Sequence, residues 1–121
     1  MPNQIDISGL CVSYGETPVL QGIDMHVTAG EIALILGGSG CGKSTLLKTI
    51  IGLVRPQAGR IEILGEEVTA LEDGNRDVLS KRLGVMFQYG ALLNSLTIAE
   101  NIALPLEMHT DLEPDFVADI V

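Results

Sequence analysis

At 121 residues, 46% hydrophobic and 19% charged, the chain has the composition of one small globular domain, which excludes a disordered tract. Sixteen Asp and Glu against seven unclustered Lys and Arg give a net charge of −9, which excludes an electrostatic footprint for DNA or RNA. Apolar runs such as Ile32 to Leu36 fall far short of the ~20 residues that cross a bilayer.

The start, Met1-Pro2-Asn3-Gln4-Ile5-Asp6, lacks the basic and apolar parts of a signal peptide, so a cytosolic chain is expected. Cys11 and Cys41 have no metal-ligand spacing and read as reduced thiols. Ile5-Asp6-Ile7 and Cys11-Val12-Ser13-Tyr14 have strand composition and end at Gly15, and Val19 to Val27 predicts a second strand region. Glu31 to Leu36 is a short apolar run closed by glycines, as expected of a strand buried on both faces. Lys43 to Ile51 then predicts a helix with Leu46, Leu47, Ile50 and Ile51 on one face, closed by Gly52 and Pro56.

Gly59 to Gly65 alternates like a strand, Gly74 to Lys81 reads as a loop with a short helix, and Leu83 to Phe87 as a second buried strand. Thr97-Ile98-Ala99-Glu100 is a capping box, predicting a helix to about Met108 with Pro105 as a kink point. Leu112, Phe116, Val117, Ile120 and Val121 recur at helical spacing, with Asp111 as the expected cap. The chain stops on that apolar face, the pattern expected of a truncated domain.

Between the buried run and the first helix lies Gly37-Gly38-Ser39-Gly40-Cys41-Gly42-Lys43-Ser44, which satisfies G-x-x-x-x-G-K-[ST]. Glycines let successive amides converge on an anion, backed by the positive end of the helix. Lys43 supplies a mobile cation for β- and γ-phosphates, and Ser44 a small hard hydroxyl for Mg²⁺. An accidental Gly-rich turn with a lysine is the competing explanation; by chance the pattern arises in roughly one in a hundred chains of this length or fewer. Its place between an apolar strand and an amphipathic helix favours a purine nucleotide site, with Mg-ATP as the ligand.

With this loop, Tyr14 in Val12-Ser13-Tyr14-Gly15, and Val85-Met86-Phe87-Gln88, 45 residues past Lys43, the chain resembles the nucleotide-binding subunit of ABC transporters. Alone, Tyr14 would read as a strand-end tyrosine and Gln88 as a surface residue. The resemblance implies an α/β fold, a P-loop NTPase of the ABC ATPase type. It lays out a β-rich adenine-binding part (1–36), the P-loop and helix (37–52), strands and Q-loop (53–96), and the start of a helical subdomain (97–121). Tyr14 would stack on adenine. Gly37, Gly38, Ser39, Gly40, Cys41, Gly42, Lys43, Ser44 and Thr45 would hold the nucleotide. Ser44 and Gln88 would face Mg²⁺, and Gln88, the one catalytic candidate, would position the metal or the attacking water.

The stretch Gln88-Tyr89-Gly90-Ala91-Leu92-Leu93-Asn94-Ser95-Leu96-Thr97 is most similar to the ATPase of Mla-type (MCE-associated) lipid transporters. Those maintain outer-membrane lipid asymmetry in Gram-negative bacteria. The implied partners are a membrane permease, met through Gln88 to Ser95, and a second ATPase subunit. The implied location is cytoplasmic, on the inner face of the bacterial inner membrane, without membrane insertion.

A Leu-Ser-Gly-Gly signature, a strand ending Asp-Glu and a switch histidine are not found in the sequence. Leu71-Glu72-Asp73 has its acids reversed, and His26 and His109 read as surface residues. The Asp and Glu of a Walker B strand hold Mg²⁺ through water and polarise the nucleophile. Without them, the chain is expected to bind ATP and not to hydrolyse it alone. A non-catalytic nucleotide-binding regulatory module fits the same residues. A small P-loop kinase fits less well, since Arg55, Arg60, Arg76 and Arg82 are scattered and leave Tyr14 unexplained.

Overall fold

The computed structural model describes residues 2–71 and 73–121. Met1 of the N-terminal reading and Glu72 of the reversed acidic pair lie outside the described residues. The chain divides into two compact units, one ending at Ser80 and the other spanning Lys81–Val121.

In the first unit, β1 (Asn3–Tyr14) and β2 (Thr17–Thr28) form a long antiparallel pair, closing on Tyr14 opposite Thr17. The two short stretches expected at 5–7 and 11–14 are one strand, bent where Gly9 takes a φ of 57°. The register shift there adds a residue to the period, so Ile7, Leu10 and Val12 are all buried despite their uneven spacing. β3 (Ala58–Ile63) pairs antiparallel with the other edge of β1, and β4 (Glu66–Glu67) with β3, giving the order β2-β1-β3-β4. Gly59, at φ 95°, lies against the bulge: a Cβ there would sit 2.5 Å from the Gly9 carbonyl oxygen. Leu64 and Gly65, both at positive φ, make the tight turn from β3 to β4.

Ile7, Leu10, Val12, Ile61 and Ile63 are almost wholly buried. Burial of each contributes about 1.5–3 kcal/mol. Helix α1 (Lys43–Ile50) adds Leu46 and Ile50 to the buried set. Its buried face is Thr45, Leu46, Thr49 and Ile50; Leu47, expected on that face, is half exposed because the helix is rotated by one position. Gly52 ends it at φ 87°, with the Leu53 amide donating to the Lys48 carbonyl and the Gly52 amide to that of Thr49. This is a Schellman closure. Helix α2 (Asp73–Ser80) buries Leu79.

The expected strand Glu31–Leu36 does not form. Ile32, Leu34 and Leu36 are 80–89% exposed, and the run carries no strand ladder. Leu83–Phe87, in the second unit, is likewise unpaired, with Met86 fully open to solvent. A strand exists only through its neighbours, and no described strand pairs with either run.

In the second unit, α3 (Ile98–His109) packs on α4 (Pro114–Ile120), burying Ala103 and Val117. The capping box forms as expected: Thr97 Oγ1 accepts from the Glu100 amide at 3.1 Å, and Glu100 accepts from the Thr97 amide at 2.7 Å. Pro105 lies inside α3, which continues past it to His109. α4 starts after Glu113 with Pro114 in its first turn, so Asp111 is not its cap. Proline fixes the entry φ without side-chain help.

Candidate functional site: a phosphate loop with an anchored tyrosine

The unpaired run 31–36 delivers the chain to the glycine loop, and α1 carries it away. Gly42, the residue before the helix, has φ 96° and ψ 10°. Left-handed backbone followed by helical backbone turns successive amides toward one point, the geometry of an anion nest. Steric constraint also fixes this glycine: a Cβ at 42 would meet Leu20 Cδ2 at 2.8 Å and Val19 Cγ1 at 3.1 Å. The loop is thereby seated on β2.

No side chain caps the N-terminus of α1, and its first turn holds no acid. The positive end of the helix therefore faces the loop without a compensating carboxylate. Lys43 Nζ bends back to donate to the Gly37 and Gly38 carbonyls. Space is open over Gly38 and Gly40, and the Ser44 hydroxyl is exposed. Cys41 places its sulfur over Gly37, where any Cβ would collide with it. An anion in this cradle offers Lys43 charge-assisted bonds stronger than those to neutral carbonyls.

Tyr14 comes to the same place from the end of β1. Its hydroxyl lies 3.3 Å from Thr45 Oγ1, on the buried face of α1, while half of the residue stays exposed. Gln57 holds the preceding residue: the Ser13 amide donates to Gln57 Oε1 at 2.7 Å, and Gln57 Nε2 donates to the Ser13 carbonyl at 3.1 Å. The fold thus brings Tyr14 to Thr45, the last residue of the Gly37–Thr45 segment. The sequence reading did not single out Gln57, and nothing in one sequence marks a glutamine 44 positions beyond Ser13 as the anchor of the neighbouring tyrosine.

Gln88 belongs to the second unit, exposed on a turn closed by the Gly90 amide donating to the Phe87 carbonyl at 3.1 Å. Behind it, Asn101 secures the following loop: Oδ1 accepts from the Leu93 amide, and Nδ2 donates to the carbonyls of Leu93, Leu96 and Thr97. His26 and His109 are exposed. Ahead of the phosphate loop, Glu31 accepts from the Thr28 amide and hydroxyl, and these bonds hold its carboxyl below the ordinary carboxylate value.

Residues 20–119 match the family model described as ABC transporter. The chain belongs to the ABC transporter family. Over 97% of its length, this ABC chain is 37% identical to the probable ribonucleotide transport ATP-binding protein mkl of Mycobacterium leprae, covering 34% of that protein. Over 78% of its length it is 43% identical to the methionine import ATP-binding protein MetN of Brucella abortus, covering 26% of it. The fold is that of an ABC ATPase cassette in part: the dimeric cassette MJ0796 superposes with a TM-score of 0.87 at 28% identity, over 95% of this chain and 53% of that one. MJ0796 has also been solved in a post-hydrolysis state bound to ADP and Pi. The chain therefore spans about a third of the transport ATPases it resembles and about half of the solved cassette.

Proposed function

We propose that this chain is the nucleotide-holding part of an ABC transport ATPase, binding Mg-ATP across the Gly37–Thr45 loop and Tyr14. The observation that carries the reading is the open cradle in front of the uncapped α1 N-terminus, with Lys43 turned to loop carbonyls at its rim. Loop amides and Lys43 would hold the β- and γ-phosphates, and Tyr14 would lie against the base. Ser44, exposed at the start of α1, would hold Mg²⁺, the ion that the family resemblance also gives to Gln88. The ion would neutralise charge on the phosphate oxygens.

Gln88 would orient the attacking water, but it has no proton-accepting carboxylate or imidazole of its own. No signature, no strand ending Asp-Glu and no switch histidine is read in the sequence. The chain is accordingly proposed to hold ATP and not to hydrolyse it alone, with a second ATPase subunit as the expected partner. Purified chain should show no ATP turnover above background. Turnover that disappears in Lys43→Ala would overturn this.

The permease would be met through Gln88 to Ser95, a loop held by Asn101 that exposes Tyr89 and Leu92. Among the described residues no helix is long and apolar enough to cross a membrane. A peripheral position on the inner face of a bacterial inner membrane is proposed on the family match alone. The cargo we favour is phospholipid, on the likeness of Gln88–Thr97 to Mla-type ATPases. The names of mkl and MetN favour a second reading, a ribonucleotide or methionine cargo. Reconstitution of the complete gene product with its permease decides between them: lipid transfer supports the first, and ATPase stimulation by ribonucleotide or methionine the second.

A further inference from the structure

Tyr14 ends a strand beside a two-residue turn and is 50% exposed, a position where an aromatic ring ordinarily samples several rotamers. Here it is held at both ends by elements distant in sequence. Thr45 lies 31 residues on, at 7% exposure within α1, and meets the phenol oxygen at 3.3 Å. Its β-branched side chain has few rotamers open to it inside a helix. Gln57 lies 44 residues beyond Ser13 and grips that residue's backbone amide and carbonyl in the manner of a neighbouring strand. The Gln57 amide also donates to the Cys11 carbonyl at 2.9 Å, so the gripping residue is itself fixed to β1.

We propose that Thr45 and Gln57 are positioning residues that clamp Tyr14, coupling recognition of a nucleotide's base to the helix that ends the phosphate loop. The proposal rests on the nucleotide reading and deepens it. Thr45 serves two parts of the site: its backbone belongs to the phosphate cradle, and its hydroxyl to the base platform. A ring already fixed loses little freedom when a base stacks on it, whereas a released ring must be immobilised at binding. Loss of the Tyr14 hydroxyl or of the Gln57 grip should therefore weaken binding of ligands that carry a base and spare those that carry only phosphates.

The test compares Mg-ATP with Mg-tripolyphosphate by calorimetry on the parent chain, Tyr14→Phe, Thr45→Val, Thr45→Ser, Gln57→Leu and the Tyr14→Phe/Thr45→Val double variant. Tyr14→Phe, Thr45→Val and Gln57→Leu should each weaken ATP binding about three- to tenfold, the freedom regained by one released side chain. In Tyr14→Phe and Gln57→Leu, which leave the Gly37–Thr45 segment intact, tripolyphosphate affinity should move by less than about twofold. The double variant should be no weaker than its singles, because each removes the same hydrogen bond. Thr45→Ser should restore ATP affinity.

Equal losses for ATP and tripolyphosphate in Tyr14→Phe or Gln57→Leu would overturn the clamp, as would additive losses in the double variant or no loss at all. Tyr14→Phe alters a half-exposed side chain and carries the test even if valine at 45 disturbs α1. A parent chain that binds neither ligand would overturn the nucleotide reading as well. Binding of both with variants indistinguishable from parent would overturn the clamp alone.

Discussion

Gly42 bears two constraints at once, and they give its substitution a defined cost. Its φ of 96° is uncomfortable for any side chain, and the space a Cβ would need is taken by Leu20 and Val19. Gly42→Ala should lower stability by about 1–3 kcal/mol, the usual range for backbone strain of this kind. A urea melt of the purified chain measures it. Glu31 has the opposite character, fully exposed but bonded twice to Thr28. Its folded-state carboxyl lies below the ordinary carboxylate value, so the turn gains stability above that ordinary value and loses it as pH falls through the lowered one. The Thr28 amide should lose exchange protection below about pH 4.5 in the parent and be insensitive there in Glu31→Gln. The glycine loop was legible because its parts are contiguous, each residue type answering to the geometry of a phosphate. The Tyr14 clamp was not, since Thr45 lies 31 residues beyond Tyr14 and Gln57 44 beyond Ser13, and none is unusual alone.

At the level of elements, local chemistry was readable and pairing was not. The capping box at Thr97 and Glu100 formed as written, because both partners lie within one helical turn. The β1 bulge at Gly9 hid the period of two that would have joined the stretches 5–7 and 11–14 into one strand. For Glu31–Leu36 and Leu83–Phe87 the apolar runs suggested buried strands, yet hydrophobicity alone cannot provide a ladder. α3 yields a sharper expectation. Thr97→Ala should cost about 1 kcal/mol of stability through the lost cap. Asn101→Ala removes the side chain that bonds Leu93, Leu96 and Thr97, so it should release the amides of 91–97 to fast exchange while α3 stays protected. Hydrogen exchange on the two variants separates these effects; uniform loss across α3 in Asn101→Ala would contradict the assignment.

Across the whole molecule, the ABC family is shown by a match over residues 20–119, and a solved cassette shares its fold over 95% of the chain. What sequence and fold join most firmly is the phosphate loop, whose Lys43 bends to carbonyls at the mouth of an uncapped helix. The most direct test is calorimetric titration of the purified chain and of Lys43→Ala with Mg-ATP. The parent should bind one nucleotide per chain. Lys43→Ala should bind about 10–100-fold more weakly, as expected for loss of charge-assisted bonds worth about 1.5–3 kcal/mol. Equal binding by a folded parent and a folded Lys43→Ala, or no saturable binding by the parent, would contradict the account.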